Sequence, residues 1–194
     1  PLGHLGQIGR GPGVGVGVRE VQPLVELRVP FKVNLMEMDS ISRGLADPNL
    51  DSLREAVERI AQAEDRTVFY GFADAQIKGI LASSGHPAIS FGDTPEARFA
   101  AVVRAWQVLQ HAGIGGPYAL AVGNEMHLAI LEAADDGYPI VKRIEDLLQG
   151  PIVRADVLKG GVLVSLRGGD FKLMVQDRSG QGLKALETAA WDLV

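Results

Sequence analysis

The stretch Asp51–Phe72, DSLREAVERIAQAEDRTVFYGF, constrains the fold most. No proline or glycine interrupts it before Gly71. Leu53, Val57, Ile60, Ala61, Val68 and Phe72 recur at helical steps, so much of one face of a long helix is apolar. Asp51 and Ser52 suit the N-terminus of such a helix, and Ser52 followed by Glu55 has the spacing of a capping box. At about 1.5 Å per residue the helix would run roughly 30 Å, the width of a small domain. It is a spine that needs other elements packed against it.

Ahead of the spine the period changes to two. In REVQPLVELRVPFKVN, residues 19–34, Val25, Leu27, Val29, Phe31 and Val33 share one side, and Leu24, Glu26, Arg28, Pro30 and Lys32 the other. That pattern predicts a long strand with one apolar face, and Pro23 and Pro30, which lack backbone donors, place it at an edge or bend it. Further upstream, valine alternates with glycine over residues 13–18, as in a hairpin or an extended arm. Gly11, Gly13, Gly15 and Gly17 do not make a phosphate loop. Such a loop follows a strand and opens a helix, whereas here Pro12 interrupts and a strand-like run follows.

Leu35–Arg43 reads as a short helix ended by Gly44. Thr94-Pro95-Glu96 starts a helix with cap, proline and acid in order, and Phe99, Val102, Val103, Trp106 and Leu109 give it an apolar face up to Gly113. Tyr118–Val122 reads as a buried strand, followed by a helix from Asn124 to about Ala134, a turn at Asp135–Pro139, and a helix over Ile140–Leu148. Strands are predicted at Ile152–Val153, Val162–Leu166 and Phe171–Val175, with Arg167-Gly168-Gly169-Asp170 as the hairpin turn between the last two. Residues 179–194 carry a weak helical pattern through Leu183, Leu186 and Ala190.

Few chemistries survive this reading. The 194 residues carry a net charge of −5 with no strong basic run, which argues against nucleic acid as a partner. The absence of cysteine excludes disulfides, thiolate metal sites and a cysteine nucleophile. No signal peptide or membrane-length apolar run is visible, so the expected compartment is the cytoplasm, with no membrane partner. His4, His86, His111 and His127 are scattered, and Glu125 and His127 would point to different faces of a helix, so no metal set is expected. The acidic pairs Glu64-Asp65, Asp135-Asp136 and Glu145-Asp146 diverge in the same way. Ser165 and Ser83-Ser84 lack the sharp elbow of a serine hydrolase. With no nucleophile, base and orienter converging, a structural or binding role is favoured over an enzyme.

The segments QPLVELRVPF (Gln22–Phe31), AEDRTVFYG (Ala63–Gly71), GPYAL (Gly116–Leu120), GYPI (Gly137–Ile140) and RGGDF (Arg167–Phe171) resemble those of encapsulin shell proteins, in order and spacing, from about Gln22 to Asp177. The resemblance implies an α+β fold of the tailed-bacteriophage major capsid type. Its parts would be an extended loop with its long strand (1–34), a peripheral domain holding the spine (35–92), a mainly axial domain (93–160), and a return to the peripheral domain with a divergent end (161–194). It also implies many identical subunits closing into an icosahedral nanocompartment without catalysis of its own. The shell would enclose a cargo enzyme, a dye-decolourising peroxidase or a ferritin-like iron oxidase, held by a C-terminal targeting peptide.

The resemblance places Glu132–Ile140 on the family's loop around the five-fold pore. Glu132, Asp135, Asp136, Gly137, Tyr138 and Pro139 are therefore the candidate pore residues. Ringed by symmetry, Asp135 and Asp136 would favour cations such as iron over anions. Three departures limit the transfer. The family's N-terminal helix has no counterpart here, so no cargo-groove residue is assigned. Val16 stands where some relatives stack a flavin on a tryptophan, so no cofactor is expected. Beyond Asp177 the sequence leaves the family pattern. A phage-type major capsid protein packaging DNA is the alternative, and a stand-alone hydrolase a more distant one.

Overall fold

The computed structural model of the chain describes residues 5–11, 14–19, 23–135, 137–176 and 183–186. Its contacts divide it into two compact units, residues 1–79 and 80–194.

In the first unit the glycine-rich start forms an antiparallel hairpin of β1 (Leu5–Gly11) and β2 (Val14–Arg19). The long strand expected over 19–34 is not there: β2 ends at Arg19, and residues 23–34 join no sheet. The side-chain alternation survives the loss of the ladder. Val25, Leu27, Val29 and Val33 are half-buried, while Leu24, Glu26, Arg28 and Pro30 are exposed. Period two sets which way side chains point, but a ladder needs a partner strand, and the described residues offer none.

Helix α1 (Leu35–Ser42) follows, its first turn capped by Asn34, whose Oδ1 accepts from the Met36 amide at 2.9 Å. Gly44, at φ +97°, lets the chain leave it. The spine is α2 (Asp51–Tyr70), close to the predicted span. Its start differs from the capping-box expectation. Leu50 occupies the cap position without a side-chain bond, and the Ser52 hydroxyl donates instead to the Lys32 carbonyl. Of the expected stripe, Leu53, Ile60 and Val68 are covered, whereas Val57, Ala61 and Phe72 are exposed; Ala56, Ala63, Thr67 and Phe69 are covered as well. Gly71 ends the helix and opens the hairpin of β3 (Gly71–Phe72) and β4 (Ile77–Lys78). A side chain at Gly71 would come within 2.3 Å of the Ile77 carbonyl oxygen.

The second unit begins with α3 (Ile80–Ser83) and α4 (Pro95–His111). Thr94 caps α4 as its sequence predicts, its Oγ1 accepting from the Ala97 amide at 3.2 Å. Strand β5 (Tyr118–Val122) is buried at all five positions. Helix α5 (Asn124–Leu131) is capped by Gly123, without a side-chain bond, and not by Asn124 as its capping chemistry suggests, and it is shorter than expected. The strands β6 (Ala134–Asp135) and β7 (Tyr138–Pro139) then form a small hairpin. Helix α6 (Ile140–Leu148) has its predicted bounds and buries Ile140, Ile144 and Leu148, one stripe at steps of four.

β8 (Ile152–Arg154) pairs parallel with β5 on one side, and β9 (Gly161–Ser165) pairs antiparallel on the other, giving the order β8-β5-β9. Leu120 and Leu163, opposite each other in this sheet, meet Val102, Leu109, Ile130, Ile140, Ile144 and Leu148 in one core. The predicted hairpin across residues 167–170 is absent, since β9 pairs with β5. The next strand, β10 (Leu173–Gln176), pairs with β11 (Leu183–Leu186). β11 stands where a helical pattern was read; the rest of residues 179–194 lies outside the described residues. The 167–170 segment is still a tight turn, with Gly168 and Gly169 at positive φ and Arg167 gripping Asp170 through two bonds of 2.8 and 2.9 Å.

Candidate assembly surfaces and pore loop

The polar side chains that could suggest catalysis are occupied with structure. The Ser165 hydroxyl is buried, donates to the Gly115 carbonyl and accepts from the Arg167 amide at 3.3 Å. It locks the end of β9 to the loop between α4 and β5 and offers no free nucleophile. The Ser84 hydroxyl is tied to the backbone of His86. Among the described residues no three acids and histidines gather as a metal set. The Tyr118 phenol is held above its usual pKa chiefly by burial, opposed by the Gln110 amide at 2.7 Å and the positive charge of Arg167. Its own proton goes to the Ile114 carbonyl, so the ring is a structural tie between α4, the following loop and β5.

Two clefts open in the second unit. One, of about 220 Å³, is lined mainly by Leu81, Ile89, Phe91, Val102, Leu120 and Met126. The other, of about 260 Å³, lies between Trp106, Tyr118 and Leu147. Neither gathers convergent charged groups of the kind that orient a substrate.

The surfaces of the first unit are of another kind. Residues 23–34 are extended, and Glu26 and Arg28, two apart and therefore on one side, pair through bonds of 2.7 and 2.8 Å. The guanidinium lowers the Glu26 carboxyl pKa and is itself raised by that hydrogen bond. Leu24 and Phe31 are about half exposed on the same segment. The Ser52 hydroxyl, donating to the Lys32 carbonyl, fastens the segment to α2, while no described strand covers its edge. An extended edge with apolar side chains and open backbone groups is a template for pairing with another chain.

The candidate pore residues fall together. Glu132 is the exposed C-cap of α5, and Asp135 and Tyr138 are paired across the hairpin. Asp136 lies outside the described residues. Gly137, at φ +80°, makes the tight reversal, and Tyr138 and Pro139 are exposed. The hairpin is anchored where the Ile140 amide donates to the Ala133 carbonyl at 3.0 Å, with both side chains buried. The resemblance singled out these residues; the turn read at Asp135–Pro139 belongs to a two-stranded hairpin, for which Asp-Gly is a strong signal.

A family model described as "Encapsulating protein for peroxidase" matches residues 1–181. The chain belongs to the encapsulin shell-protein family. The match takes in the glycine-rich start as well as the segments from Gln22 onward. A type 1 encapsulin shell protein of Rhodospirillum rubrum is 43% identical over 166 residues, 84% of this chain and 58% of that protein. Those of Rhodococcus erythropolis and Mycobacterium tuberculosis are 38% and 35% identical, with 66% and 62% of their lengths covered. The chain thus spans about three-fifths of the curated relatives it matches. In structure it is similar to a virus-like particle from Pyrococcus furiosus, with a TM-score of 0.53 at 16% identity, over 84% of this chain and 66% of that one. That likeness fits the α+β, capsid-type fold expected for the family.

Proposed function

We propose that copies of this chain assemble into an icosahedral protein shell that encloses a cargo enzyme in the cytoplasm, the chain itself catalysing no reaction. Family membership supports the reading, and the observation that carries it is the open, extended edge at residues 23–34. Such an edge is a liability in a solitary molecule and a fastening in a wall of identical ones. Residues 1–34 act as the extended loop, 35–92 with α2 as the peripheral domain, 93–160 as mainly axial, and 161–194 as the return. The cargo is a peroxidase or a ferritin-like iron oxidase, docked through a C-terminal peptide. Among the described residues no helix is long and apolar enough to cross a membrane.

The β6–β7 hairpin lines a pore, where Asp135 and Asp136, repeated around a symmetry axis, draw cations inward. Negative-stain images and size-exclusion chromatography of the purified protein test the shell. Closed particles are expected, and elution of a 20.7 kDa monomer overturns the reading. Nucleic acid retained in particles after nuclease treatment would point to a phage-type capsid instead. Replacing Asp135 and Asp136 by Asn in shells loaded with an iron oxidase should slow iron uptake; an unchanged rate removes the acidic ring from the pathway.

A further inference from the structure

Protein cores are packed about as densely as organic crystals, with few voids wider than a water molecule. The cleft of about 220 Å³ in the second unit departs from that rule. Its cause lies in α4. Ala101 and Ala105, four apart and so on one side of the helix, both line it, and two methyl groups leave unfilled a space that longer side chains would occupy. Leu120 and Leu163, opposite each other in β5 and β9, line it too, and Phe91 and Met126 pack against the same core. The hollow is an extension of the core, walled by several elements of one unit.

The lining selects among occupants. It holds no aspartate, glutamate, lysine or arginine, so a charged molecule would give up its hydration there without a partner. Phe91 and Met126 supply a ring and a thioether, and both make favourable contacts with an aromatic ring. Ser84 and His86 are the lining residues with polar side chains. The Ser84 hydroxyl is taken up by the His86 backbone, whereas the His86 imidazole makes no hydrogen bond to a described residue. A neutral imidazole can donate or accept, which suits one hydroxyl. Size narrows the choice further. An apolar cavity of about 150 Å³ takes up benzene, so this cleft has room for a substituted ring. It is below the roughly 300 Å³ at which pockets for larger ligands begin.

We propose that the cleft binds a small, uncharged aromatic molecule with one hydroxyl group, a simple phenol, its ring against Phe91 and Met126 and its hydroxyl at His86. The site goes beyond the shell reading and does not depend on it.

In a calorimetric titration, para-cresol should bind the purified protein saturably, with one site per chain. Absence of saturable binding overturns the proposal, the cleft then being closed by another part of the chain or by a neighbouring copy. Ala105→Leu, whose longer side chain fills the cleft, should weaken binding at least tenfold without lowering the melting temperature. Ala88→Leu fills it from an exposed position on another wall, where the fold tolerates the change, and should weaken binding at least threefold. Undiminished affinity in the folded variants would sink the site. Para-xylene, in which a methyl group replaces the hydroxyl, tests the polar end. His86→Leu should lower the preference for para-cresol over para-xylene at least threefold, and an unchanged preference removes His86 from the site.

Discussion

α2 and α6 are both amphipathic helices, yet they end in different states. α6 has nine residues and buries Ile140, Ile144 and Leu148 completely. α2 has 20 residues and, as described, buries only Ala56, while Val57 stands 56% exposed. The stripe of α6 meets side chains from α4, β5 and β9 in its own unit. That of α2 meets too little around it, and the polar outer face is laced instead by Arg54–Asp51 and Arg59–Glu55 pairs at 3.7 Å. Exposed pairs of this sort add only a few tenths of a kcal/mol each. Among the described residues, α6 thus draws on a core of its own unit, whereas α2 buries little apolar surface.

Core truncation should break the comparison most sharply. Ile144→Ala is expected to cost about 2–5 kcal/mol in denaturant unfolding, whereas Val57→Ala should cost under about 0.5 kcal/mol in dissociated subunits. Similar costs would mean that the two units are equally self-sufficient. Hydrogen exchange gives the next largest contrast. Amides of residues 24–33 should exchange freely in dissociated subunits and slow by about 100-fold in particles, as amides do once a ladder forms, while those of β5 stay protected in both. Free exchange in particles would deny the edge its partner.

Ser52→Ala should then cost about 1 kcal/mol, through the lost bond to Lys32, and loosen the 23–34 segment in the same exchange experiment. The smallest effect is one of pH. Because burial raises the Tyr118 pKa, the unfolded chain loses the phenolic proton first. The tyrosine's contribution is whole below about pH 10 and fades as pH climbs through the raised value. Tyr118→Phe should flatten that alkaline decline in thermal unfolding curves.

Elements whose signals are local were legible in the sequence. Thr94-Pro95-Glu96 starts α4, the Ile140–Leu148 stripe makes α6, and the apolar run at 118–122 is the central strand. Signals that depend on a distant partner were not. Alternation at residues 24–33 told which side chains share a face, and could not tell that no strand among the described residues lies alongside. A glycine-rich turn after β9 suggested pairing with the next strand, yet β9 lies against β5, some 40 residues earlier in the sequence. Ser52 has capping chemistry, but the Lys32 carbonyl brought close by the fold outcompetes the helix terminus. The candidate pore residues come from resemblance alone, because a loop's position on a symmetry axis is a property of many chains together.

The β8-β5-β9 order has a consequence during synthesis. β5 cannot gain its antiparallel neighbour until Ser165 has left the ribosome, 43 residues after Val122 has done so. At roughly 5–20 residues per second that side of β5 stays open for something like 2–9 s before the sheet can close. Pro23 and Pro30, each withholding an amide from any passing strand, blunt the separate edge at 23–34.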